Sequence, residues 1–170
     1  MFDTVLIAGL GLLGGSMAKA IKARTLSRVL GWNRTRATAE QALSDGAIDA
    51  IATEALYKEA DLVIMGRYPQ ATVDWLLENM PKMKKGCVVV DMVGVKQFMV
   101  DRLEQAALDA GVHFVGGHPM AGREFSGLDF SLPTLFDGAS MIFVPTASST
   151  ERVLEQLEAY FMSLGFGQTV

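Results

Sequence analysis

Gly9-Leu10-Gly11-Leu12-Leu13-Gly14 decides the reading of this chain, because it directly follows the apolar run Thr4–Ala8 and opens a segment of small residues, Gly15-Ser16-Met17-Ala18-Lys19-Ala20. Strand, glycine turn and helix in that order form the dinucleotide fingerprint in its proper setting. Gly9 permits the tight turn, Gly11 lets the backbone approach a pyrophosphate, and Gly14 lets helix and strand pack closely. The helix then begins with unpaired N–H groups facing an anion. Cofactor contact is expected at Gly9, Gly11, Leu12, Leu13 and Gly14.

Working outward, short apolar runs alternate with helix-like segments, the pattern of a parallel sheet with crossover helices. Strands are predicted at Thr4–Ala8, Val29–Gly31, Leu62–Met65, Cys87–Val90, Val112–Val115, Ala139–Val144 and Gln168–Val170. Their Val/Ile-rich, non-alternating character predicts burial on both faces. Helices are predicted at Gly14–Ala23, Arg36–Ser44, Gln70–Asn79, Lys96–Ala110 and Ser149–Leu164. The last has the clearest apolar stripe, with a capping box expected from Ser148 to Glu151 and a stop at Gly165. The expectation is an α/β fold of Rossmann type: a doubly wound, mostly parallel sheet in one domain over residues 1–170.

Composition narrows the partners. Half of the residues are hydrophobic and the net charge is −4, so no overall basic field draws nucleic acid or an anionic membrane. A small-molecule partner is the default. The single cysteine, Cys87, heads a Val-rich run and reads as a buried strand thiol, which excludes a disulfide framework and points to the cytoplasm. No His/Cys/Asp cluster suggests a metal. The N-terminal apolar run is broken by glycines and lacks a basic leader, so neither a targeting signal nor a membrane span is expected. Lys82, Lys84 and Lys85 read as a solvated loop face.

The residues after the second strand bear on the cofactor. A carboxylate there would accept the ribose hydroxyls of NAD. This chain instead has Asn33-Arg34-Thr35-Arg36, where a neutral Asn33 does not repel a 2′-phosphate and Arg34 and Arg36 offer guanidinium groups for one. NADP is therefore the expected preference, with NAD possible. Asn33 or Thr35 also suits a helix cap, and Arg34 suits an adenine face. Two further loops should border the cofactor at the carboxyl ends of strands: Gly66-Arg67-Tyr68-Pro69, and Asp91-Met92-Val93-Gly94-Val95-Lys96. Their glycines would let backbone approach the nicotinamide half. Gly66, Arg67, Tyr68, Val93 and Gly94 complete the expected binding set.

The segment Gly116-Gly117-His118-Pro119-Met120-Ala121-Gly122 places one of two histidines on a stiff turn behind an apolar strand. The other, His113, lies within that strand and reads as structural. Taken with the glycine loop and Asp91-x-x-Gly94-Val95-Lys96, the run Gly117-His118-Pro119-Met120-Ala121-Gly122-x-Glu124-x-Ser126-Gly127 resembles the prephenate/arogenate dehydrogenase family across essentially the whole chain. A β-hydroxyacid dehydrogenase shares Asn-Arg-Thr but not the histidine segment.

The resemblance implies oxidative decarboxylation of prephenate to 4-hydroxyphenylpyruvate in tyrosine biosynthesis, or the matching reaction of arogenate, with hydride transfer to NAD(P). It implies His118 as catalytic proton acceptor, a task suited to a group that titrates near neutrality. Glu124 matches an acidic position on the substrate side, where it gates the site or is an exposed loop charge. Lys96 is expected to act structurally. Where many relatives carry a serine, this chain has Gly94, so His118 must be oriented by something else. The family also implies a C-terminal helical domain that forms the dimer and much of the substrate pocket, which these 170 residues do not include. A non-catalytic NADP-binding module that needs a partner domain is the alternative.

Overall fold

In a computed structural model, residues 2–170 are described, and they form one eight-stranded sheet flanked by helices. In chain order the elements are β1 (Thr4–Ala8), α1 (Leu12–Arg24), β2 (Arg28–Trp32), α2 (Arg36–Ser44), β3 (Ala50–Ile51), β4 (Leu62–Met65), α3 (Pro69–Asn79), β5 (Val88–Asp91), α4 (Lys96–Ala110), β6 (His113–Pro119), β7 (Ser140–Val144), α5 (Glu151–Ser163) and β8 (Gln168–Thr169). Across the sheet they run β3-β2-β1-β4-β5-β6-β7-β8. Strand order reverses between β1 and β4, so the carboxyl ends of these two strands mark the crevice where such sheets bind ligands.

Alternation along the strands explains the two helical layers. Val5 and Ile7 of β1, with Leu62 and Ile64 of β4, join a core with α1, α2 and α5, whereas Leu6, Ala8, Val63 and Met65 point into the core with α3 and α4. All four β4 side chains are fully buried. Each such Leu, Val, Ile or Met contributes about 1.5–3 kcal/mol. The parallel, doubly wound expectation holds from β3 through β6, and β7 then pairs antiparallel with β6.

The structure corrects several local readings. β3 has only two paired residues and no run of its own to announce it. α1 starts at Leu12 rather than Gly14. Ser148 does not cap α5: Thr150 does, its Oγ1 accepting from Val153 N, while Ser148 Oγ accepts from Phe114 N. The lysine cluster is at the surface as expected, Lys84 and Lys85 being exposed, and its members also find partners: Lys82 at Glu54, Lys84 at Asp61, and Lys85 donating to Ala110 O at the end of α4. Cys87 is buried, and burial pushes its thiol up to about 12.

Most consequential, β6 runs on through Pro119, so His118 stands in a strand opposite Ile142 rather than on a turn behind it. Antiparallel pairing with β7 carries the strand past the glycines.

Candidate functional site: a glycine-floored nucleotide cavity with a histidine at its edge

The turn after β1 is fixed by steric contact. Gly9 has φ +102°, a region that disfavours any side chain, and a Cβ on Gly14 would lie 1.7 Å from Gly9 O. Gly66 serves the same contact, since its Cβ would sit 2.6 Å from Gly9 O. Gly66 therefore packs the β4 loop onto the β1 loop, besides lining the space beside it. Gly11 is the exception, because a Cβ there would meet nothing within 4 Å. It faces open space at the N-terminus of α1, where no side chain caps the helix and no acidic residue occupies the first turn. Its first amides remain available to an anion, as a dinucleotide pyrophosphate requires.

That space is a cavity of about 750 Å³. It is lined by Gly9, Gly11, Leu12 and Leu13 from the first turn, Asn33 and Arg34 from the second, Gly66, Arg67 and Tyr68 from the third, and Val93 and Gly94 from the fourth. Eleven expected residues thus meet around one volume. Asn33 couples two of these loops: its Oδ1 accepts from Leu10 N at 2.9 Å and its Nδ2 donates to Thr35 O. Neither Asn33 nor Thr35 caps α2 through its side chain. Gly14 lies beneath the floor, while Thr35 is exposed, and Arg36 is drawn along α2 to Glu40 at 3.3 Å. Thr35 and Arg36 do not line the cavity.

Sequence reasoning missed part of the opposite wall. Ser126 and Gly127 line this cavity and also a neighbouring one of about 460 Å³ that reaches Thr38, Gln41 and Phe130. Their only signal was membership in the histidine-segment pattern. Their loop is held by Ser131, which accepts from Lys19 Nζ through its carbonyl, and by Ser16 Oγ, which accepts from Leu132 N.

The histidine end is built differently. Asp91, at the end of β5 and fully buried, accepts from Val93 N and Gly117 N and pairs with Lys96. Lys96 Nζ also donates to Gly117 O at 2.6 Å. Burial raises Asp91 and lowers Lys96, against the pull of each upon the other. This knot joins the Val93-Gly94 loop to β6 one residue before His118. A Cβ on Gly94 would stand 3.5 Å from His118 Cε1 and 3.9 Å from each ring nitrogen, so the ring borders the cavity loop without lining the cavity. Glu124 is exposed on the loop beyond, and His113 Nδ1 donates to Ser148 O in a structural contact.

Residues 17–167 match the sequence profile of the family described as prephenate dehydrogenase, nucleotide-binding domain. The chain belongs to that family. It is 36% identical over 162 residues to the prephenate dehydrogenase of Bacillus subtilis, covering 93% of this chain and 43% of that protein. It is 29% identical over 171 residues to the cyclohexadienyl dehydrogenase of Zymomonas mobilis, covering 97% and 57% respectively. The chain thus spans about half the length of these curated relatives.

The crystal structure of prephenate dehydrogenase from Aquifex aeolicus, in complex with hydroxyphenyl propionate and NAD+, superposes with a TM-score of 0.88 at 26% identity, over 100% of this chain and 59% of that one. Membership in this nucleotide-binding family accords with the glycine-floored cavity. Among the described residues no helix is long and apolar enough to cross a membrane, and no group of three His, Cys, Asp or Glu is placed to hold a metal ion.

Proposed function

We propose that this chain is the cofactor half of an NADP-preferring dehydrogenase that oxidatively decarboxylates prephenate, or its amino analogue arogenate. The observation that carries this reading is the placement of His118 at the edge of the cavity, against the Gly94 loop. A bound nicotinamide supplies the hydride acceptor. The chain's own residues hold the dinucleotide by the α1 amides and Gly11, and present an imidazole beside the loop that would flank its reactive ring.

In this scheme an imidazole nitrogen of His118 accepts the proton of the substrate ring hydroxyl as hydride leaves the same carbon. The bond to the ring carboxylate then breaks, carbon dioxide departs and its electron pair completes the aromatic ring. Aromatisation supplies the driving force, and the positioned base supplies about a hundredfold to ten-thousandfold. The Asp91–Lys96 knot holds the histidine's strand against the Val93-Gly94 loop. Glu124 lies on the open side, where substrate would enter. Binding of the substrate carboxylates and dimerisation are assigned to a further helical domain, as the family resemblance implies.

The test is reduction of NADP with prephenate or arogenate by the 170-residue chain, alone and joined to a helical domain of a relative. Turnover only in the joined form is expected, with His118→Asn lowering it at least about a hundredfold while cofactor affinity stays within twofold. Nucleotide binding without turnover in either form would make this a non-catalytic binding module.

A further inference from the structure

Two arginines from different loops line the nucleotide cavity and are near enough for their charges to interact: Arg34 after β2 and Arg67 after β4. Neither has a carboxylate within ion-pair distance among the described residues, whereas Arg24, Arg28 and Arg36 each do. Arg67 is held in place by an aromatic platform, its guanidinium carbon 4.9 Å from the centre of the Trp32 ring, and by a long contact from Nη1 to Ala71 O at 3.4 Å. Trp32 is in turn packed against Trp75, itself packed on Tyr57. The stem of Arg67 also lies along the glycine turn, with Cγ 2.8 Å from where a Gly9 Cβ would be. Two like charges without carboxylate partners at one cavity are a setting that an anion would relieve. Partial burial first, and then the charge of Arg34, lower Arg67 from its ordinary range, with Asp74 opposing.

We infer that Arg67, with Arg34, forms a two-guanidinium clamp for a phosphate monoester, and that Arg67 is the residue that makes the site prefer an adenosine 2′-phosphate. This rests on the reading of the cavity as a dinucleotide site. The clamp replaces the pair expected from Asn33-Arg34-Thr35-Arg36, because Arg36 is engaged with Glu40 while Arg67 reaches the cavity from a different strand. Two planar guanidiniums approaching from separate loops can each bind phosphate oxygens bidentately.

The experiment is calorimetric titration of the chain with 2′,5′-ADP and with 5′-ADP. Neither probe requires turnover, a nicotinamide or a substrate domain. Wild type is expected to bind 2′,5′-ADP more tightly. Arg67→Met keeps an apolar side chain over Trp32 and should weaken 2′,5′-ADP by about tenfold to a hundredfold, leaving 5′-ADP within twofold. Arg67→Lys should recover part of the loss. Equal weakening of both probes by Arg67→Met would make Arg67 an adenine-side packing residue and overturn the clamp. So would an unchanged affinity for 2′,5′-ADP, or a wild type without preference for it. In all three outcomes 5′-ADP binding by wild type would leave the nucleotide site standing, and failure of both probes to bind wild type would remove the site itself.

Discussion

The two ends of the cavity are held by opposite kinds of chemistry. At the nucleotide end, backbone meets backbone: Gly9, Gly14 and Gly66 touch so closely that no side chain fits, and Asn33 ties the turn to β2 by accepting a hydrogen bond from Leu10 N. At the histidine end, a buried carboxylate and ammonium tie β5, α4 and β6 together. The first is robust because it carries no charge to desolvate. The second is specific because an ion pair is satisfied in only one arrangement, and fragile because either partner alone is a buried, uncompensated charge.

The largest expected effect follows from that fragility. Asp91→Ala leaves the ammonium of Lys96 without its carboxylate and should cost about 3–5 kcal/mol in urea unfolding. Adding Lys96→Met to the same chain should recover most of this, since a neutral, apolar pair has no charge to compensate. A cost below about 1 kcal/mol for Asp91→Ala would mean that the knot is not what joins the ends, and the contrast would collapse. The double variant separates stability from function: it should refold while His118 loses its alignment, so turnover of the joined enzyme should fall although stability returns.

The same contrast explains what was legible. The nucleotide end is written in local sequence: one strand, three glycines and a helix start within fourteen residues, and the Asn33-Arg34 turn directly after β2. The histidine end depends on pairings between distant residues. Nothing near His118 announces that Asp91 lies under Gly117, or that β7 will extend β6 through Pro119 and so carry His118 within a strand. Lys96 reads as structural from its place at the start of α4, and its partner appears only when β5 and β6 are adjacent. Arg67 is legible as a loop residue near the cofactor. Its convergence with Arg34 is not, because strands β2 and β4 meet only across β1.

A second prediction breaks the nucleotide end. Gly14→Ala would place a methyl 1.7 Å from Gly9 O, and neither partner is a flexible side chain, so destabilisation of about 3 kcal/mol or more is expected. Gly11→Ala meets nothing within 4 Å and should leave stability within about 0.5 kcal/mol of wild type. Its methyl would stand where a pyrophosphate must approach, so 5′-ADP affinity should fall at least about tenfold. Two glycines of one motif would thus separate into a folding role and a binding role. Equal stability losses would remove that division.

The smallest effect comes from acid. Asp49 and Asp61 pin the amino ends of β1, β2 and β4, at the sheet edge opposite the cavity: Asp49 accepts from Val29 N and Lys22 Nζ, and Asp61 from Thr4 N and Lys84 Nζ. Burial alone would raise both carboxyls, but the lysines and backbone donors outweigh it and hold both below the ordinary carboxylate range. Their stabilisation is therefore complete above the unfolded value and fades as pH falls through the lower folded values. Asp91 runs the other way, its folded value raised, so protonation removes no net stabilisation there at the same pH. Between about pH 5 and about pH 3, amide protection relative to the intrinsic exchange rate should fall first at Thr4 and Val29, with Gly117 following later. Gly117 losing protection together with Val29 would show that the histidine end and the far edge of the sheet unfold as one unit, whatever holds each of them.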